Sequence, residues 1–134
     1  MELAFFSLLL LCSIYDIRKR IIPNNIILGI LMLGLFRLIV SAMDIGSLWG
    51  FFIPAFPLLV VKFFNPKYIG AGDIKLLMAI GVWVGYKSNI LVYILACTLA
   101  LVWALLHITL KKQIKTVPFA PFITVAVAIT VAMI

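Results

Sequence analysis

Asp16 and Asp73 are the residues of this chain whose positions could support catalysis. The chain has only four acidic residues, and Asp73 stands at the mouth of an apolar run that continues to Tyr86. An ionisable side chain at such a position is a functional hypothesis, because a charge inside a bilayer is costly. Peptide hydrolysis without a metal generally needs two carboxyl groups, one to activate water and one to protonate the leaving amine. Asp16 is the candidate partner, because the predicted topology brings it to the same membrane level as Asp73.

Gly70 and Gly72 immediately precede Asp73 in the sequence. Glycine admits backbone conformations closed to other residues and lets a second chain approach closely. The two glycines could therefore let an extended substrate lie against the backbone of the enzyme. The alternative is that they only let membrane helices pack closely, as small residues do.

The composition indicates an integral membrane protein of a single domain. Hydrophobic residues make up 66% of the 134 residues and charged residues 11%, against about 25% in soluble domains. The mean hydropathy is +1.32. Cys12 and Cys97 lie within apolar runs and His107 is the only histidine, so the sequence predicts neither a disulfide framework nor a metal site.

Six apolar runs predict six membrane-spanning helices. We expect the third to be kinked at Pro54 and Pro57, and the sixth to carry Pro118 and Pro121 in its first turn. Either Asn24 or Asn25 is expected to cap the second helix. The predicted spans are residues 1–15, 25–43, 47–64, 73–86, 89–110 and 117–134.

The basic residues predict the orientation of these spans. If all six cross, nine of the eleven lysines and arginines fall on one side, in three separate connections. By the positive-inside rule that side is cytoplasmic, and both termini face outward. The net charge of +7 then reflects topology and not nucleic-acid binding. Arg37, one of the two exceptions, is expected to snorkel or to pair inside the bundle.

The six-span topology brings one acidic pair to the same membrane level. Asp16 ends the first span and Asp73 opens the fourth, both on the cytoplasmic side, whereas Glu2 and Asp44 fall on the other side. Taken singly, Asp16 could pair with Lys19 or Arg20, and Asp73 could be an N-cap. The matched depth favours a catalytic pair.

Three segments of the chain resemble motifs of the type IV prepilin peptidases, which are membrane aspartic proteases with a Gly-x-Gly-Asp motif. They are residues 16–24 (DIRKRIIPN), 70–76 (GAGDIKL) and 117–122 (VPFAPF). The resemblance covers essentially the whole chain. It implies that Asp16 and Asp73 are catalytic and that the enzyme cleaves a short basic leader from pilin-like precursors at the cytoplasmic membrane face.

The resemblance also bears on the remaining motif residues and on partners. The residues expected to bind substrate or shape the site are Gly70, Gly72, Lys75, Pro23, Asn24, Pro118 and Pro121. The segment with paired cysteines that accompanies methyltransferase activity in long members of the family is absent from this sequence, so a peptidase-only form is expected. The expected partners are prepilin-like substrates and the lipid bilayer, with no cofactor, no metal and no nucleic acid.

The expected mechanism is a carboxyl pair that shares one proton near neutral pH. Asp16 lies near a helix C-terminus, where the dipole disfavours negative charge, and Asp73 lies at an N-terminus, where it favours it. On that reasoning Asp73 is the resting base and Asp16 the resting acid. The competing hypothesis is a non-enzymatic transporter or pilus or secretion assembly factor whose aspartates form ion pairs.

Overall fold

The computed structural model describes residues 1–42, 45–67, 69–113 and 117–133, and these residues form helices without any strand. The all-helical class that the sequence predicts is confirmed. Asp44 lies outside the described residues. The helices are α1 (Glu2–Lys19), α2 (Asn24–Val40), α3 (Gly46–Phe52), α4 (Ala55–Phe64), α5 (Ala71–Val84), α6 (Tyr86–Thr109) and α7 (Ala120–Met133).

α5 is the central helix of the bundle. It contacts α2, α3, α4, α6 and α7, and eight of its 14 residues are buried. α1 packs against α2 and α7, and α7 also packs against α6. The chain thus places Asp73 at the start of the most enclosed helix, and it places Asp16 on a helix that borders α7.

The third predicted span is broken into two helices. α3 ends at Phe52 and α4 begins at Ala55, directly after Pro54. Proline removes a backbone donor and clashes with the preceding turn, so the kink predicted at Pro54 and Pro57 is confirmed as a break before Ala55. Pro57 itself lies within the first turn of α4, where proline is tolerated.

The turn between α5 and α6 is a single residue, Gly85. Its φ of 84° lies in the left-handed region, which glycine adopts without a steric penalty. α6 consequently begins at Tyr86, three residues earlier than the sequence predicts, and Lys87 lies in its first turn and not in a loop.

The surface of the bundle is strongly apolar. α3 and α4 together (Gly46–Phe64) and α6 are long and apolar enough, by length and composition, to cross a membrane. Only 11% of the most apolar window of α6 is buried inside the bundle. Leu3 and Phe63 are each 85% exposed. Large side chains of this kind cover water-facing surfaces only in small patches, so this exposure indicates a lipid-facing surface.

Candidate active site

Asp16 and Asp73 line the same cleft, which has a volume of about 810 Å³. Asp16 lies on α1 and Asp73 on α5, and the two residues are 57 positions apart in the sequence. The sequence prediction that topology brings these two acids together therefore agrees with the geometry. The other described lining residues are Arg20, Leu58, Lys67, Ile69, Gly70, Tyr93, Cys97, Ala100, Leu101, Val117 and Phe119.

Asp16 is held in place by the N-terminus of α7. Its side chain is only 7% exposed, and the backbone N–H of Ala120 donates a hydrogen bond of 3.0 Å to Oδ2. Ala120 is the first residue of α7, where backbone N–H groups lack partners within the helix. Asp16 thus accepts a hydrogen bond from the helix end that carries the positive end of the α7 dipole.

This contact changes the argument about which aspartate is charged at rest. The sequence reasoning counted only the C-terminal end of α1, where the dipole opposes a charge on Asp16. It could not count α7, whose first residue lies 104 positions away. The sequence reasoning thus left out one of the two helix ends that face Asp16, and which aspartate is charged at rest stays a prediction.

A pair of hydroxyl groups reinforces the contact between α1 and α7. Ser13 Oγ and Thr124 Oγ1 are 2.7 Å apart and hydrogen-bonded, and both residues are buried. Thr124 lies one turn beyond Ala120, and its hydroxyl also donates to the Ala120 carbonyl. The two helices are thus fixed next to the point where Ala120 meets Asp16. Sequence reasoning missed both residues, since isolated hydroxyls in apolar helices give little signal.

Asp73 lies in the first turn of α5 and is half-buried. The residue at the N-cap position is Gly70, and no side chain caps the helix, so the N-cap reading of Asp73 is wrong. The carboxyl group turns back towards Gly70: a Cβ atom built on Gly70 would lie 3.2 Å from Asp73 Oδ2. Because Gly70 has no side chain, the space beside this carboxyl group stays open.

Gly72 lies against a different residue, Ile22. A Cβ atom there would lie 3.2 Å from Cβ of Ile22, a buried residue of the α1–α2 connection. Among the described non-terminal glycines only Gly85 has a positive φ. Gly72 thus has a backbone conformation that other residues can also adopt, and the glycine that lines the cleft is Gly70.

The remaining predicted site residues are divided between two places. The segment before α7 shapes the cleft through Val117 and Phe119, whereas Pro118 and Pro121 are not among the described lining residues. Asn24 and Lys75 line a separate groove on another side of α5, where Lys75 Nζ donates to Asn24 Oδ1 at 3.3 Å. Residues 73 and 75 are about 200° apart around a helix, which explains the separation.

Pro23 and the two asparagines begin α2 differently from the prediction. The N-cap residue is Pro23, α2 starts at Asn24, and no side chain caps it. Neither Asn24 nor Asn25 is therefore the cap. Pro23 fixes the entry into α2 and is not among the described residues that line the cleft.

The cleft is also lined by one face of α6 that sequence reasoning missed. Tyr93, Cys97 and Leu101 are spaced four residues apart, so they lie on one helix face. A tyrosine and a cysteine at that spacing in an apolar span are a weak signal by themselves. These residues line the cleft only because α6 packs beside α5 and α7.

Several polar residues lie away from the cleft. Arg37 stacks over the ring of Trp83 at 4.6 Å, in agreement with the expected pairing inside the bundle. His107 Nδ1 lies 3.0 Å from the Trp103 carbonyl oxygen near the end of α6. Within the described parts of the chain, no group of three or more His, Cys, Asp or Glu residues could hold a metal ion. The expectation of a metal-free site stays a prediction.

Comparison with known proteins agrees with the motifs. The family model described as "Type IV leader peptidase family" matches residues 3–105. Proteins named "Prepilin leader peptidase/N-methyltransferase" are similar to the chain: one from Aeromonas hydrophila is 32% identical over 83% of the chain, and one from Pectobacterium carotovorum is 30% identical over 92%. The chain spans 41% and 47% of the length of these relatives.

No solved structure matches the chain at a significant level. The match to the family model covers both aspartates and more than half of the chain. The chain belongs to the type IV leader peptidase family.

Proposed function

We propose that the chain is an aspartic endopeptidase that removes the short basic leader from type IV prepilin or pseudopilin-like precursors. The observation that carries the proposal is the placement of Asp16 and Asp73 in one cleft. The family membership and the printed names of the relatives support the class of substrate. Gly70 at the edge of the cleft leaves room for an extended peptide backbone.

The proposed chemistry uses the two carboxyl groups in opposite protonation states. Asp16, which accepts the Ala120 N–H, is the ionised base and takes a proton from water, and the resulting hydroxide attacks the scissile carbonyl carbon. Asp73 is the acid and donates its proton to the carbonyl oxygen. When the tetrahedral intermediate collapses, the C–N bond breaks, the proton on Asp16 passes to the leaving amine, and one hydroxyl group of the intermediate returns a proton to Asp73 as the C=O bond re-forms. This reverses the assignment that the sequence alone favoured.

We place this site at the cytoplasmic face of the cell membrane. In the proposed topology α3 and α4 form one of six spans and both termini face outward. The exposed apolar surface and the nine basic residues on the side of the aspartates support this arrangement.

Cysteine accessibility tests the topology. In a background without Cys12 and Cys97, single cysteines at Lys19 and Lys112 should be shielded from an impermeant thiol reagent in intact cells, and a cysteine at Ser88 should react. Reaction at position 112 from outside would contradict the six-span arrangement.

The proposal concerns proteolysis alone. The relatives' names combine peptidase and methyltransferase, and the expectation that this chain does not transfer methyl groups stays a prediction. The alternative of a transporter or assembly factor would assign the aspartates to ion pairs. Transporters commonly place such acids near the midplane between internal repeats, and no repeat is evident in the sequence.

Substitution of each aspartate tests the proposed function. Asp16→Asn and Asp73→Asn should each reduce leader cleavage by the purified protein to a trace, because either one removes a proton-transfer group. Glu2→Gln, at the exposed start of α1, is the matched control and should cleave at the parent rate. Substantial cleavage by either aspartate variant would exclude the carboxyl pair as the catalytic centre.

A further inference from the structure

A second cavity lies on the side of α5 that faces α2. It has a volume of about 380 Å³ and is lined by residues of α2, α3 and α5. At one end Asn24, Asn25 and Lys75 surround its mouth, and all three side chains are exposed. The lining residues further along are apolar, among them Leu28, Leu31 and Met78. We call this cavity the α2–α5 groove.

The two parts of the third predicted span line different cavities. Phe51 of α3 lines the α2–α5 groove. Beyond the break the chain departs, and Leu58 of α4 lines the aspartate cleft instead. The groove follows α2 from Asn24 to Leu31, a rise of about 10 Å in an α-helix. It therefore leads from a polar mouth along the apolar side chains of α2 and α5.

The charges at the mouth favour an anion. Lys75 carries a positive charge, and its ammonium group uses one of its three donors on Asn24 Oδ1. The amide groups of Asn24 and Asn25 add hydrogen-bond donors. None of the described residues that line the groove is acidic. A ligand that matches the whole groove has a negative head and a flexible apolar tail.

We propose that the α2–α5 groove binds one anionic phospholipid of the cytoplasmic leaflet. Its phosphate lies against Lys75 and Asn25, and the first part of one acyl chain lies along Leu28 and Leu31. Lys75 is at the same end of α5 as Asp73, which places the mouth at the level where lipid head groups lie. The inference rests on the membrane placement in the proposed function and is independent of the carboxyl chemistry.

Lipid retention by the purified protein tests the proposal. Native mass spectrometry in mild detergent should show one retained phosphatidylglycerol, with weaker retention of phosphatidylcholine that carries the same acyl chains. Lys75→Gln should weaken phosphatidylglycerol binding about fivefold, the contribution of one basic residue near an anionic surface. Lys75→Arg, which keeps the charge, should retain it. Lys112→Gln, in an exposed segment outside the groove, is the matched control and should bind as the parent does.

Three results would overturn the proposal. Equal retention of the two lipids would remove the role of charge, and unchanged binding by Lys75→Gln would remove this site. Equal thermal stabilisation by inorganic phosphate, which has no acyl chain, would show that the apolar part of the groove is not used. Asp73→Asn should bind the lipid as the parent does. Lipid binding by a protein without peptidase activity would thus separate the failure of the proposed function from the failure of this inference.

Discussion

The two ends of α5 both depend on glycine, but the glycines do different things. At its start, Gly70 borders the cleft that holds Asp16 and Asp73. Towards its end, Gly81 meets Gly50 of α3 so closely that a Cβ atom on Gly81 would overlap the Gly50 carbonyl oxygen. One glycine keeps space open beside a reactive group, and the other allows two backbones to touch.

A buried amide also stabilises the C-terminal half of α5, which we call its closed end because α3 and α6 pack against it there. Asn89 of α6 is 0% exposed, and its Nδ2 donates to the carbonyl oxygens of Gly50 and Leu77 at 2.9 and 3.0 Å. This single side chain ties α3, α5 and α6 together. The comparison indicates that α5 is anchored at one end so that the other end can border a cleft. Substitutions at the two ends should therefore separate stability from catalysis.

The largest effect is expected for Gly81→Ala. Its methyl group meets backbone atoms of α3, which cannot rotate away, so overpacking should cost about 3 kcal/mol or more of unfolding free energy. The measurement is SDS-induced unfolding of the protein in detergent. Cleavage per folded molecule at low temperature should stay near that of the parent. Parent-like stability of Gly81→Ala would contradict the closed end described here.

Asn89→Leu should have an intermediate effect on stability. It removes two buried donors while it roughly preserves volume, and hydrogen bonds between membrane helices contribute about 0.6 kcal/mol each on average. We expect a loss of about 1 kcal/mol, partly offset because Asn89 Oδ1 is itself buried without a hydrogen-bond partner. The same SDS titration measures it. A fall in cleavage rate with unchanged stability would instead show that Asn89 affects catalysis and not packing.

At the start of α5, Gly70→Ala and Gly72→Ala form a matched pair, and neither is expected to lower stability more than Asn89→Leu does. The methyl group of Gly70→Ala would press on Asp73 Oδ2, so cleavage should slow by about tenfold, given that a displacement of about 1 Å can cost on the order of 100-fold. The methyl group of Gly72→Ala presses on Ile22 and should lower stability by about 1 kcal/mol with little change in rate.

Rate and melting temperature measured on the same preparations distinguish the two variants. If Gly72→Ala were the slower enzyme and Gly70→Ala the less stable protein, the assignment of the two glycines would have to be exchanged.

Much of the fold and part of the site could be predicted from the sequence. Long apolar runs and Pro54 determine the helices and their break, because both act locally. The scarcity of acids left Asp16 and Asp73 as the only candidates for a pair. Contacts between distant segments could not be predicted: neither the Ala120 N–H on Asp16 nor the burial of Asn89 has a local signature. The separation of Lys75 from Asp73 could have been predicted from helical periodicity.

The hydrogen bond from Ala120 to Asp16 joins α1 to α7, and this has a consequence for biosynthesis. The donor emerges from the ribosome 104 residues after the carboxyl group, once α6 is complete. A nascent chain that ends before residue 120 contains both aspartates and every residue matched by the family model, yet it lacks the group that orients Asp16. We therefore expect the candidate site to be complete only after insertion of α7, and a truncation at residue 113 should produce a membrane-inserted protein with an incompletely assembled site.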